Sequence, residues 1–292
     1  MIAAMTLFAG NDALLKLASA TLPPGQIMAV RGVFAALLTI TVVIASRQLV
    51  QVGSILAPAV LLRASIEAGI AFLFITSVAV LPLAEITAIL QATPIIMTLA
   101  AVVFGIERVG WRRWSAVIVG FVGVLLIVKP GPAGFDLYAL IALATAAIVA
   151  GRDFTTRAIG AHIPSIVITL STSLGVCLAG FVLGLSEDWR ALGPYEFGLL
   201  AAAAMVVTAG NFAVITAFRN TEVSVVSPFR YSNVPFAILL GLALFGELPD
   251  LLALAGIALI VGSGLYTIHR ERVRTRKADR CPSSPASEDV SR

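Results

Sequence analysis

Apolar residues fill this chain in blocks of about twenty, one after another from residue 2 to residue 268, and that patterning decides its class. A block of that length crosses the roughly 30 Å hydrocarbon core of a bilayer as a helix. In lipid each backbone donor and acceptor must be satisfied inside the protein, so blocks of this kind must be helical. Of the 292 residues 59% are hydrophobic and only 12% charged, against about 25% charged in a soluble domain; the mean hydropathy is +1.00. The expectation is an all-α integral membrane protein with ten transmembrane helices, at about 2–20, 26–45, 64–81, 85–105, 112–129, 137–157, 164–185, 196–217, 223–245 and 251–268. Most connections are short, with longer ones at 46–63 and 186–195.

The ten spans are two copies of one unit. Gly10, Asp12, Lys16 and Pro23 recur as Gly151, Asp153, Arg157 and Pro164, each 141 residues later. The same offset relates Gly69 to Gly210, Pro94 to Pro235, Phe104 to Phe245 and Gly105 to Gly246; one residue then drops out, so Glu107 answers Glu247. Internal symmetry on this scale marks a repeat architecture. Five spans per half is an odd number, so the halves enter the membrane from opposite sides as a five-plus-five inverted repeat. The expected units are residues 1–130, 137–270 and a basic, disordered cytoplasmic tail, 271–292. Leu137 aligns before Met1, which raises the expectation that the true start lies upstream.

Basic residues set the orientation. With the N-terminus inside, the inner loops and tail hold Arg47, Arg63, Arg108, Arg112, Arg113, Arg152, Arg157, Arg219 and the run from Arg270 to Arg280, while the outer loops hold only Lys129 and Arg190. Both termini are therefore expected in the cytoplasm of an inner-membrane protein. The first span is not a signal peptide, because it lacks a basic leader and carries Asp12 and Lys16 within its apolar run. The net charge of +4 sits largely on one membrane face and gives no reason to expect nucleic acid. Cys177 and Cys281 lie in unlike surroundings and are not expected to pair, and no zinc spacing, phosphate loop or nucleophile–base set occurs. Neither a metal, a cofactor nor a catalytic residue is expected.

Charged residues inside the spans are the candidates for function, because lipid makes them expensive. Asp12 and Lys16 are four apart on one helix, as are Asp153 and Arg157, the favourable helical order for an ion pair. These pairs either cancel charge locally or act in transport as gates. An aspartyl dyad of Asp12 with Asp153 is excluded by the inverted topology: their depths would differ by about 18 Å, where a shared proton needs about 3 Å. Arg31 is expected to snorkel outward from span two. Arg63 and Glu67 form another i,i+4 pair, expected to be structural.

Pro94 and Pro235 fall near the middle of spans four and nine, beside Gln91 and the run Phe229-Arg230-Tyr231-Ser232-Asn233. A mid-helix proline removes one backbone donor and frees the carbonyl four residues earlier, here Leu90 and Tyr231. Paired breaks of this kind near the midplane are the best sequence pointer to a carrier's binding site. The competing reading is a kink filled by neighbouring helices. Gln91, Arg230, Tyr231, Asn233 and Asn211 are the substrate-binding candidates. Gly120-x-x-Gly123 and Gly262-Ser263-Gly264 read as helix-packing signals.

These residues resemble the EamA family of the drug/metabolite transporter superfamily. The likeness covers about residues 1–270 and rests on the mid-span prolines, Phe104-Gly105-Ile106-Glu107, Phe245-Gly246-Glu247, the glycine-rich spans closing each half, and Arg31 near the start of span two. The repeat departs from symmetry at Arg31, which faces Thr172, and at the inserted Ile106. The Asn11-Asp12…Lys16 opening and Pro228-Phe229-Arg230-Tyr231 resemble the subgroup of S-adenosylmethionine and riboflavin carriers. The resemblance implies a secondary transporter of a small organic metabolite such as S-adenosylmethionine, riboflavin or an amino-acid-like compound, working by alternating access. Its partners would be that small-molecule substrate and the lipid bilayer, and a homodimer stays open. The alternatives are a non-transporting membrane scaffold and an intramembrane enzyme.

Overall fold

A computed structural model describes the backbone of residues 1–46, 49–103, 111–128, 136–159, 163–220 and 227–280. Within these the side chains at 49–52, 98, 101–103, 112, 113, 154, 157, 158, 212, 214–220, 227, 228, 268 and 270–280 are not described. Phe104, Gly105, Ile106, Glu107, Arg108, Lys129, His162, Glu222 and Cys281 lie outside the described residues, as do the side chains of Arg112, Arg113, Arg157 and Arg219.

The described residues are all helical or irregular. Helices run Ile2–Ser19 (α1), Pro24–Ala45 (α2), Pro58–Val78 (α3), Leu83–Leu90 (α4), Thr93–Val103 (α5), Trp111–Val128 (α6), Leu137–Ala158 (α7), Ser165–Gly184 (α8), Pro194–Asn220 (α9), Asn233–Phe245 (α10) and Leu251–Arg280 (α11), with 3₁₀ turns at Leu49–Leu56 and Ser227–Ser232. By length and composition α2, α3 and α8 can each cross a membrane, and several shorter helices are apolar. Their outward faces carry Leu37, Ile44, Leu62, Leu178, Val182 and Leu239, all exposed.

Local chemistry sets the helix starts. Pro24, Pro58 and Pro194 open their helices, where a missing N–H costs nothing. Asp136 caps α7 by accepting from the N–H of Tyr138 (2.8 Å) and Ala139 (3.4 Å). Asp250 accepts from Ala253 N–H at 2.8 Å at the head of α11.

Several boundaries differ from the sequence reading; span nine, for one, is a 3₁₀ turn at Ser227–Ser232 followed by an α-helix only from Asn233. Span three begins at Pro58, because that proline opens the helix six residues earlier than expected. Span four is two helices, broken at Gln91-Ala92. The last helix continues to Arg280, so the basic run at 270–280 is helical where a disordered tail was expected from 271. Arginine and lysine are good helix formers, and no proline interrupts them before Pro282.

Helices pack across the two halves more than within them. α2 lies on α8, α6 on α11, α1 on α9, and α3 on α7 and α8; α1 also touches α10, and α7 touches α4 and α5. The tightest seams are made by small residues. A Cβ on Gly180 would fall 2.8 Å from the Ala29 Cα, and one on Gly32 2.6 Å from the Cys177 Cα. Gly123 and Gly256 meet the same way, each against the other's carbonyl. Such backbone contact is how apolar helices associate where lipid removes the hydrophobic drive.

Candidate functional site

The two proline breaks meet. α4 ends at Leu90, and the carbonyl freed there accepts the Thr93 hydroxyl at 2.6 Å. Across the bundle the chain before Pro235 takes a 3₁₀ turn, in which Phe229 O accepts the Ser232 hydroxyl at 2.6 Å. Gln91 Nε2 donates to Arg230 O at 2.9 Å and so ties one break to the other. Tyr231 is buried with its ring against Gly264 of α11, where any Cβ would collide with the phenol. Among the described residues the Tyr231 hydroxyl and Asn233 Oδ1 are buried without a hydrogen-bond partner. Buried polar atoms are almost always partnered, so each orphan asks for an explanation. The Arg230 side chain is exposed. Asn211 on α9 is half-buried, and Pro94 and Pro235 are exposed.

Lys16 does not pair with Asp12. Its ammonium bonds both oxygens of Glu247, at 2.6 and 2.7 Å, and donates to Leu81 O at 2.8 Å. It also lies 5.0 Å from the centre of the Phe245 ring. Glu247 accepts in addition from Leu83 N–H at 3.2 Å. Gly246 makes this possible: its φ of +66° ends α10 in the left-handed conformation and turns the next residue back toward α1. The i,i+4 rule fails here because it describes a helix with no competitor, and a carboxylate from another helix offers two bonds.

Asp153 likewise finds another partner than the one expected. Arg152 Nε and Nη2 donate to its Oδ1 at 3.0 and 2.8 Å. Arg152 Nη1 reaches both oxygens of Glu67 on α3, at 3.3 and 3.0 Å. Arg63 does not bond Glu67; its Nε donates to Thr156 Oγ1 at 2.9 Å and its Nη1 to Thr172 Oγ1 at 2.7 Å. This network joins α3, α7 and α8. Glu67 lies about 16 Å along α3 from the helix end at Val78, beyond which Leu81 follows, so the two charge clusters occupy different levels of the bundle.

Arg31 on α2 is half-buried and makes no hydrogen bond or ion pair among the described residues. Asp12 takes the Asn11 amide on Oδ1 at 3.0 Å. Sequence reasoning missed Asn11, Glu67 and Glu247 as members of these clusters. The available signal was balance: Lys16 and Glu247 fall at the same membrane face in the ten-span reading, one basic and one acidic.

The model of one family, described as the EamA-like transporter family, matches residues 1–129 and again 136–268. The chain belongs to the EamA-like transporter family. It is thus a multi-pass membrane protein of a transporter family. Among curated relatives of this EamA-like chain, a riboflavin transporter of Vibrio cholerae is 28% identical over 67% of this chain and 66% of its own length. A pseudopaline exporter of Pseudomonas aeruginosa is 29% identical over 87% and 89%. An S-adenosylmethionine uptake transporter of Rickettsia conorii is 25% identical over 65% of each chain. The chain therefore spans about two thirds of the length of the riboflavin and S-adenosylmethionine relatives it matches. One solved crystal structure superposes with a TM-score of 0.63 over 94% of this chain and 97% of the other at 18% identity, a likeness of fold.

Proposed function

We propose that this EamA-like protein is an inner-membrane carrier of a small organic metabolite that works by alternating access, its two halves forming an inverted repeat. The observation carrying this reading is the meeting of two broken helices at Gln91 and Arg230 O, beside the unpartnered Tyr231 hydroxyl and Asn233 Oδ1. Broken helices supply free backbone groups where a substrate can bind, and lipid tolerates them only where they are buried in protein or line a cavity. Gln91, Arg230, Tyr231, Asn233 and Asn211 would contact the substrate. The names of its relatives direct the choice toward riboflavin, S-adenosylmethionine or a pseudopaline-like compound with amino-acid character. Residues 1–130 and 137–270 would be the two moving units, and both termini would face the cytoplasm.

Flux of these solutes into proteoliposomes tests the reading and separates a carrier from a scaffold or an enzyme. Arg230 cannot shed its charge, and lysine lacks its planar fork. Arg230→Lys should therefore slow uptake substantially and Arg230→Ala should nearly abolish it, with the protein still folded. Wild-type flux from a stable Arg230→Ala protein would remove the site placed around it. A reporter after Arg280 that is active only in the periplasm would overturn the orientation.

A further inference from the structure

Helix ends from both halves converge on one ammonium group. Lys16 lies in the last turn of α1, Glu247 just past the end of α10, and Leu81 and Leu83 where α3 gives way to α4. The ammonium directs its three donors to the two Glu247 oxygens and to Leu81 O, and Glu247 also accepts from Leu83 N–H. The helices fastened here are those whose breaks meet at Gln91 and Arg230 O. Gln91 lies about 12 Å along α4 from Leu83, and α10 runs from Asn233 to Phe245 beside it. Near the clasp the two helices touch: a Cβ on Gly241 would lie 3.8 Å from Leu83 Cβ. A path from Gln91 to this end of the bundle cannot open between α4 and α10 while Glu247 holds both Lys16 and Leu83 N–H.

The clasp is built to separate. Glu247 lies in the irregular link at 246–250, so its carboxylate can leave without unwinding a helix. It also keeps contact with water, so opening does not strand it in an apolar interior. Lys16 would still hold Leu81 O, which belongs to its own half.

A second link between the halves at the same end is built differently. Gln26 Nε2 donates to Arg190 O at 2.7 Å, and Gln26 Oε1 accepts from Arg190 N–H at 3.0 Å. Gly25 N–H donates to Glu187 Oε1 at 3.0 Å. Deeper along the same pair of helices, Gly180 packs on the Ala29 backbone and Gly32 on that of Cys177. Parting α2 from α8 would therefore separate backbones packed along their length, not one pair of side chains.

We propose that the Lys16–Glu247 clasp is the gate at the end of the bundle expected to face outward. It opens once per transport cycle to let substrate pass between α4 and α10, while the α2–α8 seam stays closed as the axis about which the halves turn. This deepens the carrier reading and rests on it. A gate of this kind has two discrete states, one with the ion pair formed and one with Glu247 given to water, and its opening can limit turnover.

The test uses the full chain with Cys177→Ala and Cys281→Ser, in proteoliposomes for flux and in lipid nanodiscs for accessibility. Lys16→Cys/Glu247→Cys is joined by a reducible bis-thiosulfonate cross-linker that spans the reach of the two lost side chains. Joining should bring flux of riboflavin and S-adenosylmethionine down to that of empty liposomes, and dithiothreitol should restore it. The same treatment of Gln26→Cys/Arg190→Cys should leave flux unchanged. A clasp that only stabilised the fold would tolerate the lock, so flux through fully cross-linked Lys16→Cys/Glu247→Cys protein overturns the gate. A block produced at Gln26→Cys/Arg190→Cys overturns the fixed axis.

A second measurement needs no solute and keeps the lysine in place. Ala13→Cys, at a buried position one turn deeper than Lys16, reports opening by its rate of reaction with a maleimide. Glu247→Gln should speed that reaction several-fold, while Ala36→Cys, at a buried position on α2, stays as slow as before. An unchanged rate at Ala13→Cys would sink the gate, and so would an equal rise at both positions, which would mark loosening of the whole fold. Absence of flux of either solute before cross-linking would count against the carrier reading, and the maleimide rates would still decide the gate.

Discussion

Lys16 and Glu247 are 231 residues apart and meet in a bidentate ion pair, with Nζ 2.6 and 2.7 Å from the two carboxylate oxygens. The contact fastens the end of α1 to the turn after α10 and, through Leu81 O and Leu83 N–H, to the segment between α3 and α4. Lys16 is 8% exposed and Glu247 29%, so removing one partner strands a charge that water only partly reaches. Lys16→Met or Glu247→Gln should each lower stability by about 1–3 kcal/mol. The double replacement Lys16→Met/Glu247→Leu should cost less than the sum of the singles. Thermal unfolding of purified protein in detergent measures both.

Arg152 bridges two acids, so its loss should matter more than the loss of either. Arg152→Met leaves Glu67 and Asp153 without their shared cation, whereas Glu67→Gln or Asp153→Asn leaves Arg152 one acid. The expected order of folded yield is wild type, then Glu67→Gln and Asp153→Asn, then Arg152→Met. Size-exclusion profiles after membrane extraction give the ranking, and a protein indifferent to Arg152→Met would contradict the network.

Gly246 is the described glycine with positive φ, and a Cβ there would meet nothing within 4 Å. Any penalty at this position is therefore conformational, not steric. Gly246→Ala should cost about 1–2 kcal/mol, and Gly246→Asn less, since asparagine tolerates the left-handed region. A melting temperature unchanged in Gly246→Ala would show that the turn is not held as described.

Gly180 and Gly262 offer a matched contrast. A Cβ on Gly180 would press on the Ala29 backbone and lie 2.8 Å from Gly25 O, while one on Gly262 meets nothing. Gly180→Ala should destabilise the α2–α8 seam by about 1–3 kcal/mol, and Gly262→Ala should be close to neutral. Equal melting temperatures for the two variants would refute the close approach.

Much of the architecture was legible because lipid leaves few options. Apolar runs of membrane length gave the helices, and Pro94 and Pro235 gave the two interruptions, since a missing N–H acts wherever it falls. The partners of the charged residues were not legible. Asp12 with Lys16 and Arg63 with Glu67 obey the rule for one isolated helix, and Glu247 and Arg152 override it from elsewhere in the chain. Inward-facing charges choose among all helices, and sequence spacing holds no information about which helices become neighbours.

The cross-half packing of α1 has a consequence during synthesis. α1 is the first of the described helices to emerge, yet it rests on α9 and α10, and Lys16 waits for a carboxylate 231 residues downstream. At about 5–20 residues per second that interval lasts roughly 10–45 s. Throughout it a helix bearing Asp12 and Lys16 sits in or beside the bilayer with neither charge settled. Assembly is therefore late and long-range, and the nascent helix depends on the insertion machinery, or on its own shallow position, until the far end of the chain arrives.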